Sequence, residues 1–223
     1  MEARQAGARE GEVARAREAD VAPAAEAAAP AAGWTPANPG PLGLAAFAAT
    51  TFVLSMINAN LVGLTGAAAV LPLAAAYGGV VQILAGMWEF RTGNTFGAVA
   101  FASYGAFWVG VYIILKLPAV TVTQQALSLY LYAWAIFTVL LFVASLRTTG
   151  ALAALFLLLT VTFFLLAIGH ASLVGTTHLT NGTIKLGGWF GIVTAAVAWY
   201  CALAAVVGST FGREVLPVYP LNR

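Results

Sequence analysis

Beyond residue 33 the chain alternates between long apolar runs and short polar joints. Six runs stand out, at roughly 42–63, 67–89, 96–116, 127–146, 150–170 and 188–209. Each is close to the ~20 residues that a helix needs to cross hydrocarbon. The joints are Leu64-Thr65-Gly66, Arg91-Thr92-Gly93-Asn94, Leu117 to Gln125, Arg147-Thr148-Thr149 and Ala171 to Gly187. The pattern predicts an all-α membrane protein of six transmembrane helices, since a helix satisfies its own backbone polar groups in lipid. Residues 1–33 read differently, as Ala, Glu and Arg broken by Pro23 and Pro30, with no apolar run of the signal-peptide kind. They are expected to form a disordered low-complexity tail, and residues 34–223 the transmembrane domain.

An even number of spans puts both termini on one side of the membrane. The charges beyond residue 33 are Glu89, Arg91, Lys116, Arg147, Lys185, Arg213, Glu214 and Arg223, all between the runs or after the last. With the ends inside, Arg91, Arg147, Arg213 and Arg223 are cytoplasmic, and only Lys116 and Lys185 lie outside. The positive-inside bias therefore predicts both termini in the cytoplasm and a multi-pass protein of the cytoplasmic membrane.

Composition narrows the function classes. Hydrophobic residues make up 61% and charged ones 8%, far from the balance of a soluble domain. A net charge of +2 gives no reason to expect nucleic acid. Cys201 is the only cysteine, lies inside the last run and is expected to pack against a neighbour. There is no nucleophile–base pair, phosphate loop or zinc spacing, so no enzyme, cofactor or metal centre is expected. His170 and His178 flank the outer joint, and a pH-sensing or ordinary interfacial role suits them better than metal binding.

Polar residues inside the runs mark helix contacts or a path. Asn38-Pro39-Gly40-Pro41 reads as a helix start with Asn38 as N-cap and Pro39 at the first helical position. With the prolines lacking N–H groups, this would be a stiff mouth with unpaired amides, favourable to a small anion. In the first span, Thr51, Ser55 and Asn58 form one stripe beside Thr50 and Phe47, and the third adds Ser103, Tyr104 and Trp108. In the second, Gly78, Gln82 and Gly86 share a face that reads as a packing seam, and Glu89 reads as an interfacial ion pair with Arg91. A short echo, Gly43-Leu44-Ala45-Ala46-Phe47 against Gly97-Ala98-Val99-Ala100-Phe101, gives spans one and three similar roles. No Asp, Glu, Lys or Arg falls clearly in mid-membrane, which predicts a polar-neutral path.

The stretch Asn38-Pro39-Gly40-Pro41-Leu42-Gly43-Leu44-Ala45-Ala46-Phe47 resembles the signature of the acetate uptake transporters, the succinate–acetate permease type. So does Tyr77-Gly78-Gly79-Val80-Val81-Gln82-Ile83-Leu84-Ala85-Gly86, followed by Glu89 to Gly97 and Ala100 to Trp108. Gly40 departs from the alanine common at that place. The resemblance runs from about Asn38 to Pro217. It implies a substrate path narrowed by a Phe, a Leu and a Tyr from three helices, here Phe47, Leu159 and Tyr104. It also implies a substrate-entrance motif of Asn38, Pro39, Pro41, Leu42, Gly43 and Leu44, and a homohexamer with a path in each protomer. Thr50, Thr51, Asn58 and Ser103 are candidate path-lining residues.

Together these readings predict a transporter of acetate and related small carboxylates, with succinate as a second candidate substrate, protons as candidate co-substrate and the bilayer as surroundings. The alternatives are a channel for another small neutral solute (water, ammonia or a small alcohol) and a membrane scaffold that carries no flux.

Overall fold

The computed structural model describes residue 34, residues 36–117 and residues 122–221. The predicted tail, part of the Leu117–Gln125 joint and Arg223 lie outside the described residues. Among the described residues, six helices are long and apolar enough to cross a membrane: α1 (Gly40–Asn58), α2 (Ala67–Thr92), α3 (Thr95–Lys116), α4 (Gln124–Ser145), α5 (Gly150–Ala171) and α6 (Gly182–Phe211). A single 3-10 turn, Leu64–Gly66, leads into α2.

Two ends differ from the predicted spans. α1 stops at Asn58 rather than near 63, because Asn60 takes a left-handed φ of 61° that breaks the helical run. α6 begins at Gly182, where the outer joint was expected to continue to Gly187. Asn181 caps it, its side chain accepting the Ile184 N–H at 2.9 Å. Near this end glycine lets helices meet: a Cβ on Gly188 would overlap the Ala59 backbone, so α6 lies directly against the end of α1.

The helices close into a ring. α1 packs on α6 and α2, α6 on α5, α5 on α4, α2 on α3, and α3 meets α4 more lightly. Aromatic rings fill the α3–α4–α5 side, with Phe107 in contact with Trp108, Tyr130, Trp134 and Phe163. Edge-to-face and stacked pairs of this kind add to the burial of large apolar rings.

α2 is not uniform. After Pro72, which has no N–H to give, the helix widens into a π-helical stretch over Leu73–Val81. The wider coil brings the Ala74 carbonyl to the place where a Cβ on Gly79 would stand, so only glycine fits there. The same stretch changes which way the rest of α2 faces. Gly78 abuts Thr50 of α1, while Gly86 lies against the Ala102 backbone of α3.

Candidate functional site

A cavity of about 530 Å³ lies inside the ring, a usual size for a small-molecule site. Its mouth is where α1, α3 and α5 begin and α2 and α6 end, marked by Asn38, Gly40, Glu89, Asn94, Thr149 and Gly208. Its inner wall includes Phe47, Tyr104 and Leu159.

The mouth is built from helix ends that satisfy one another. α1 has Pro39, not Asn38, as its capping residue, and Gly40 is the first helical position. Asn38 Oδ1 accepts the Gly40 N–H at 2.9 Å, and the Pro39 carbonyl accepts the Leu42 and Gly43 N–H groups at 3.1 and 3.2 Å. Pro41 has none to offer. The expected row of free amides is therefore absent, because the N–H groups of this turn are paired within the chain. Of the expected motif, Asn38, Pro41 and Leu44 line the cavity, as does Gly40. Pro39 closes the turn, Leu42 is exposed, and Gly43 rests on the ring of Phe101.

Glu89 is the second correction. It is 2% exposed and forms no ion pair with Arg91; Asn94 Nδ2 donates to its Oε2 at 2.9 Å, and Thr92 Oγ1 lies 3.2 Å away. Asn94 serves twice, since its Oδ1 also caps α3 by accepting the Gly97 N–H at 3.1 Å. The carboxyl group thus sits between the first turns of α1 and α3. A Cβ on Gly40 would stand 3.2 Å from its Oε1, and one on Gly97 would stand 2.8 Å from its Cδ. Two helix N-termini supply the positive field that such a group needs.

A strap after α6 forms one rim. The Tyr219 and Val218 carbonyls accept the Gly150 and Ala151 N–H groups at 2.7 and 3.2 Å, and Leu221 donates to the Thr148 carbonyl at 2.9 Å. Tyr200 holds the strap from α6 by donating to the Pro217 carbonyl at 2.7 Å. Glu214, Leu216 and Val218 of this segment face the cavity. Nothing in the sequence pattern singled the strap out; the bond from α5 to a residue some seventy positions later is a tertiary event.

At the inner wall, Phe47, Tyr104 and Leu159 are 4%, 3% and 3% exposed, on α1, α3 and α5. The Phe47 and Tyr104 rings lie 5.8 Å apart. Tyr104 also touches Phe137, Phe156 and Phe163, so it is held from three helices. Two further wall residues were read differently from the sequence. Gln82, taken with its glycines as part of a seam, lines the cavity, and so does Cys201. The glycines do form contacts, but on two different neighbours.

The candidate path-lining residues do not reach this cavity. Thr50 donates to the Ala46 carbonyl at 2.9 Å and faces Gly78. Thr51 is buried with its hydroxyl unpartnered, and Asn58 and Ser103 are half-buried away from the cavity. Of the histidines, His170 Nδ1 lies 2.7 Å from Gln124 Oε1, tying α5 to the start of α4.

The model of the GPR1/FUN34/yaaH family matches residues 21–223. The chain belongs to this family. It is 43% identical over 196 residues to Acetate permease A of Emericella nidulans. That match covers 82% of this chain and 65% of the permease. It is 40% identical over 186 residues to the succinate-acetate/proton symporter SatP of Escherichia coli K12, covering 82% of this chain and 95% of the symporter. A solved structure, that of the bacterial acetate channel SatP, superposes with a TM-score of 0.75 at 39% identity, covering 82% of this chain and 99% of the channel. The names given to these relatives are those of a permease, a symporter and a channel, not of enzymes. With six apolar helices, this member of the GPR1/FUN34/yaaH family is a multi-pass membrane protein.

Proposed function

We propose that the chain carries acetate and similar small monocarboxylates across the cytoplasmic membrane, through the cavity and past a constriction of Phe47, Tyr104 and Leu159. The observation that carries the reading is the convergence of these three buried side chains, from α1, α3 and α5, on the inner wall of one cavity. An apolar ring opposes a hydrated ion and gates by dewetting, while a small acid can turn its methyl group to the wall. The naming of Acetate permease A and of SatP supports acetate as the substrate class. Succinate is the second substrate we propose, on the strength of the symporter's name.

At 1.5 Å per residue, Tyr104 and Leu159 lie roughly 14 Å from the start of their helices, near the middle of a hydrocarbon layer about 30 Å thick. The cavity then opens to one side only. Arg91, Arg147 and Arg213 belong to helix ends on the mouth side, and Lys116 and Lys185 to the opposite ends, so the mouth faces the cytoplasm in this reading. Both termini and a tail over residues 1–33 would share that side, residues 34–223 would form the transport domain, and the protomers would assemble as a hexamer, each with its own path.

Flux of labelled acetate into proteoliposomes, beside glycerol and ammonia, tests the proposal. Saturable acetate uptake that exceeds glycerol permeation is the expected result. Equal rates for all three solutes would favour a neutral-solute channel, and no flux of any would leave a scaffold.

A further inference from the structure

We infer that Gln82 is the residue that binds the carboxyl group of the substrate at the constriction, and that it takes this group in its neutral, protonated form. The inference rests on the transport reading above and names the chemical state of the substrate at that site. Gln82 is 1% exposed, lines the cavity and has a buried Oε1 with no hydrogen-bond partner. A buried amide kept only for packing normally has its polar atoms paired. Leaving one unpaired costs the desolvation of that group. Gln82 also lies at the working depth, roughly 15 Å from the Thr92 end of α2, level with Tyr104 and Leu159.

The chemistry of the orphan atom selects the ligand. Oε1 is an acceptor and needs a donor. A carboxylate has no donor, so it could use only the amide N–H groups and would leave Oε1 unpaired. A carboxylic acid has one O–H and one carbonyl, the amide's own pair in reverse. The two groups then close a ring of two hydrogen bonds, acid O–H to Oε1 and amide N–H to the acid carbonyl. The proton arrives and leaves on the substrate, and no proton passes to the protein.

The rest of the cavity points the same way. Among the described residues, the titratable groups on its lining are Glu89 from α2, Tyr104 from α3, Cys201 from α6 and Glu214 from the strap; α1 and α5 contribute none. No Lys, Arg or His is among the described lining residues, so an anion meets no cationic partner among them and bears the cost of desolvation alone. A neutral acid avoids that cost.

Acetamide is the probe. It matches acetic acid in size, is uncharged, and offers the same donor and acceptor. In proteoliposomes of the full chain, acetamide is expected to raise the half-saturating acetate concentration of the wild type. Gln82→Leu, which keeps the volume, should raise that concentration about tenfold, the worth of a pair of net hydrogen bonds, and abolish competition by acetamide. Gln82→Glu gives the second variant. A buried carboxyl without a cationic partner stays protonated and can stand in for the amide pair. Half-saturation should then match the wild type at low pH and rise above it as the group ionises at higher pH. If Gln82→Leu fails to reach the membrane, wild-type competition and Gln82→Glu decide. Acetate uptake untouched by a hundredfold excess of acetamide, or wild-type half-saturation in both variants at every pH, overturns the role of Gln82 while leaving acetate transport intact. No acetate flux through the wild type removes the transport reading itself, and this inference with it.

Discussion

The Tyr104 hydroxyl lies 2.9 Å from Thr138 Oγ1, and Thr138 donates its own proton to the Trp134 carbonyl at 2.7 Å. Thr138 has only one proton, so Tyr104 must be the donor across this contact. Its hydroxyl is thereby committed to α4 and is not a free donor for a passing carboxylate. Tyr104→Phe should therefore lower stability by about 1 kcal/mol and leave acetate uptake per folded protein nearly unchanged. Thr138→Val should produce a similar loss, and the double variant less than the sum of the two. Thermal melts in detergent beside liposome uptake check this; a tenfold drop in flux for Tyr104→Phe alone would assign the hydroxyl to substrate instead.

Phe47 and Leu159 contribute volume rather than polarity. Truncating either to Ala should cost about 2–5 kcal/mol through the space left behind. It should also raise lactate uptake relative to acetate several-fold by widening the ring. The two effects separate when uptake is normalised to folded protein in the membrane. An unchanged lactate-to-acetate ratio in both variants would make these residues packing only.

Cys201 is the sole thiol of the chain and stands in the cavity wall. A small charged methanethiosulfonate should modify it slowly, from the mouth side only, and high acetate should slow the reaction further. Ending the chain after Phe211 removes the strap and frees the Gly150 and Ala151 amides, so labelling should accelerate and the melting temperature fall by several degrees. Sided labelling of oriented vesicles measures this. Faster labelling from the extracytoplasmic side would reverse the proposed orientation.

Gly86 and Gly182 form a matched pair for packing. A Cβ at Gly86 would stand 2.5 Å from the Ala102 backbone nitrogen, whereas one at Gly182 would meet nothing within 4 Å. Gly86→Ala should force α2 and α3 apart at about 1–3 kcal/mol. Gly182→Ala should be neutral or slightly stabilising, since alanine is the better helix former. Melting temperatures of the two variants in the same detergent compare them directly.

The six helices were legible in the sequence because lipid imposes a local rule. Each span must carry ~20 apolar residues and satisfy its own backbone, and both conditions can be read from neighbours in the chain. Family membership was legible as well, through the long motifs at Asn38–Phe47 and Tyr77–Trp108. The pairing of polar groups was not. Asn38 had the residue type of an anion-binding cap, yet only the folded turn shows Gly40, Leu42 and Gly43 all paired. Glu89 stood two positions from Arg91, but a helix sends neighbours that close to different faces, and its partners became Thr92 and Asn94. The stripe Gly78, Gln82 and Gly86 followed straight helical periodicity, and the π-helical stretch after Pro72 divided it among α1, the cavity and α3. Hydrophobic pattern follows from each residue's own transfer free energy, so the sequence determined the spans. Which polar atom meets which depends on angles and register summed over several helices, and only the tertiary structure decided that.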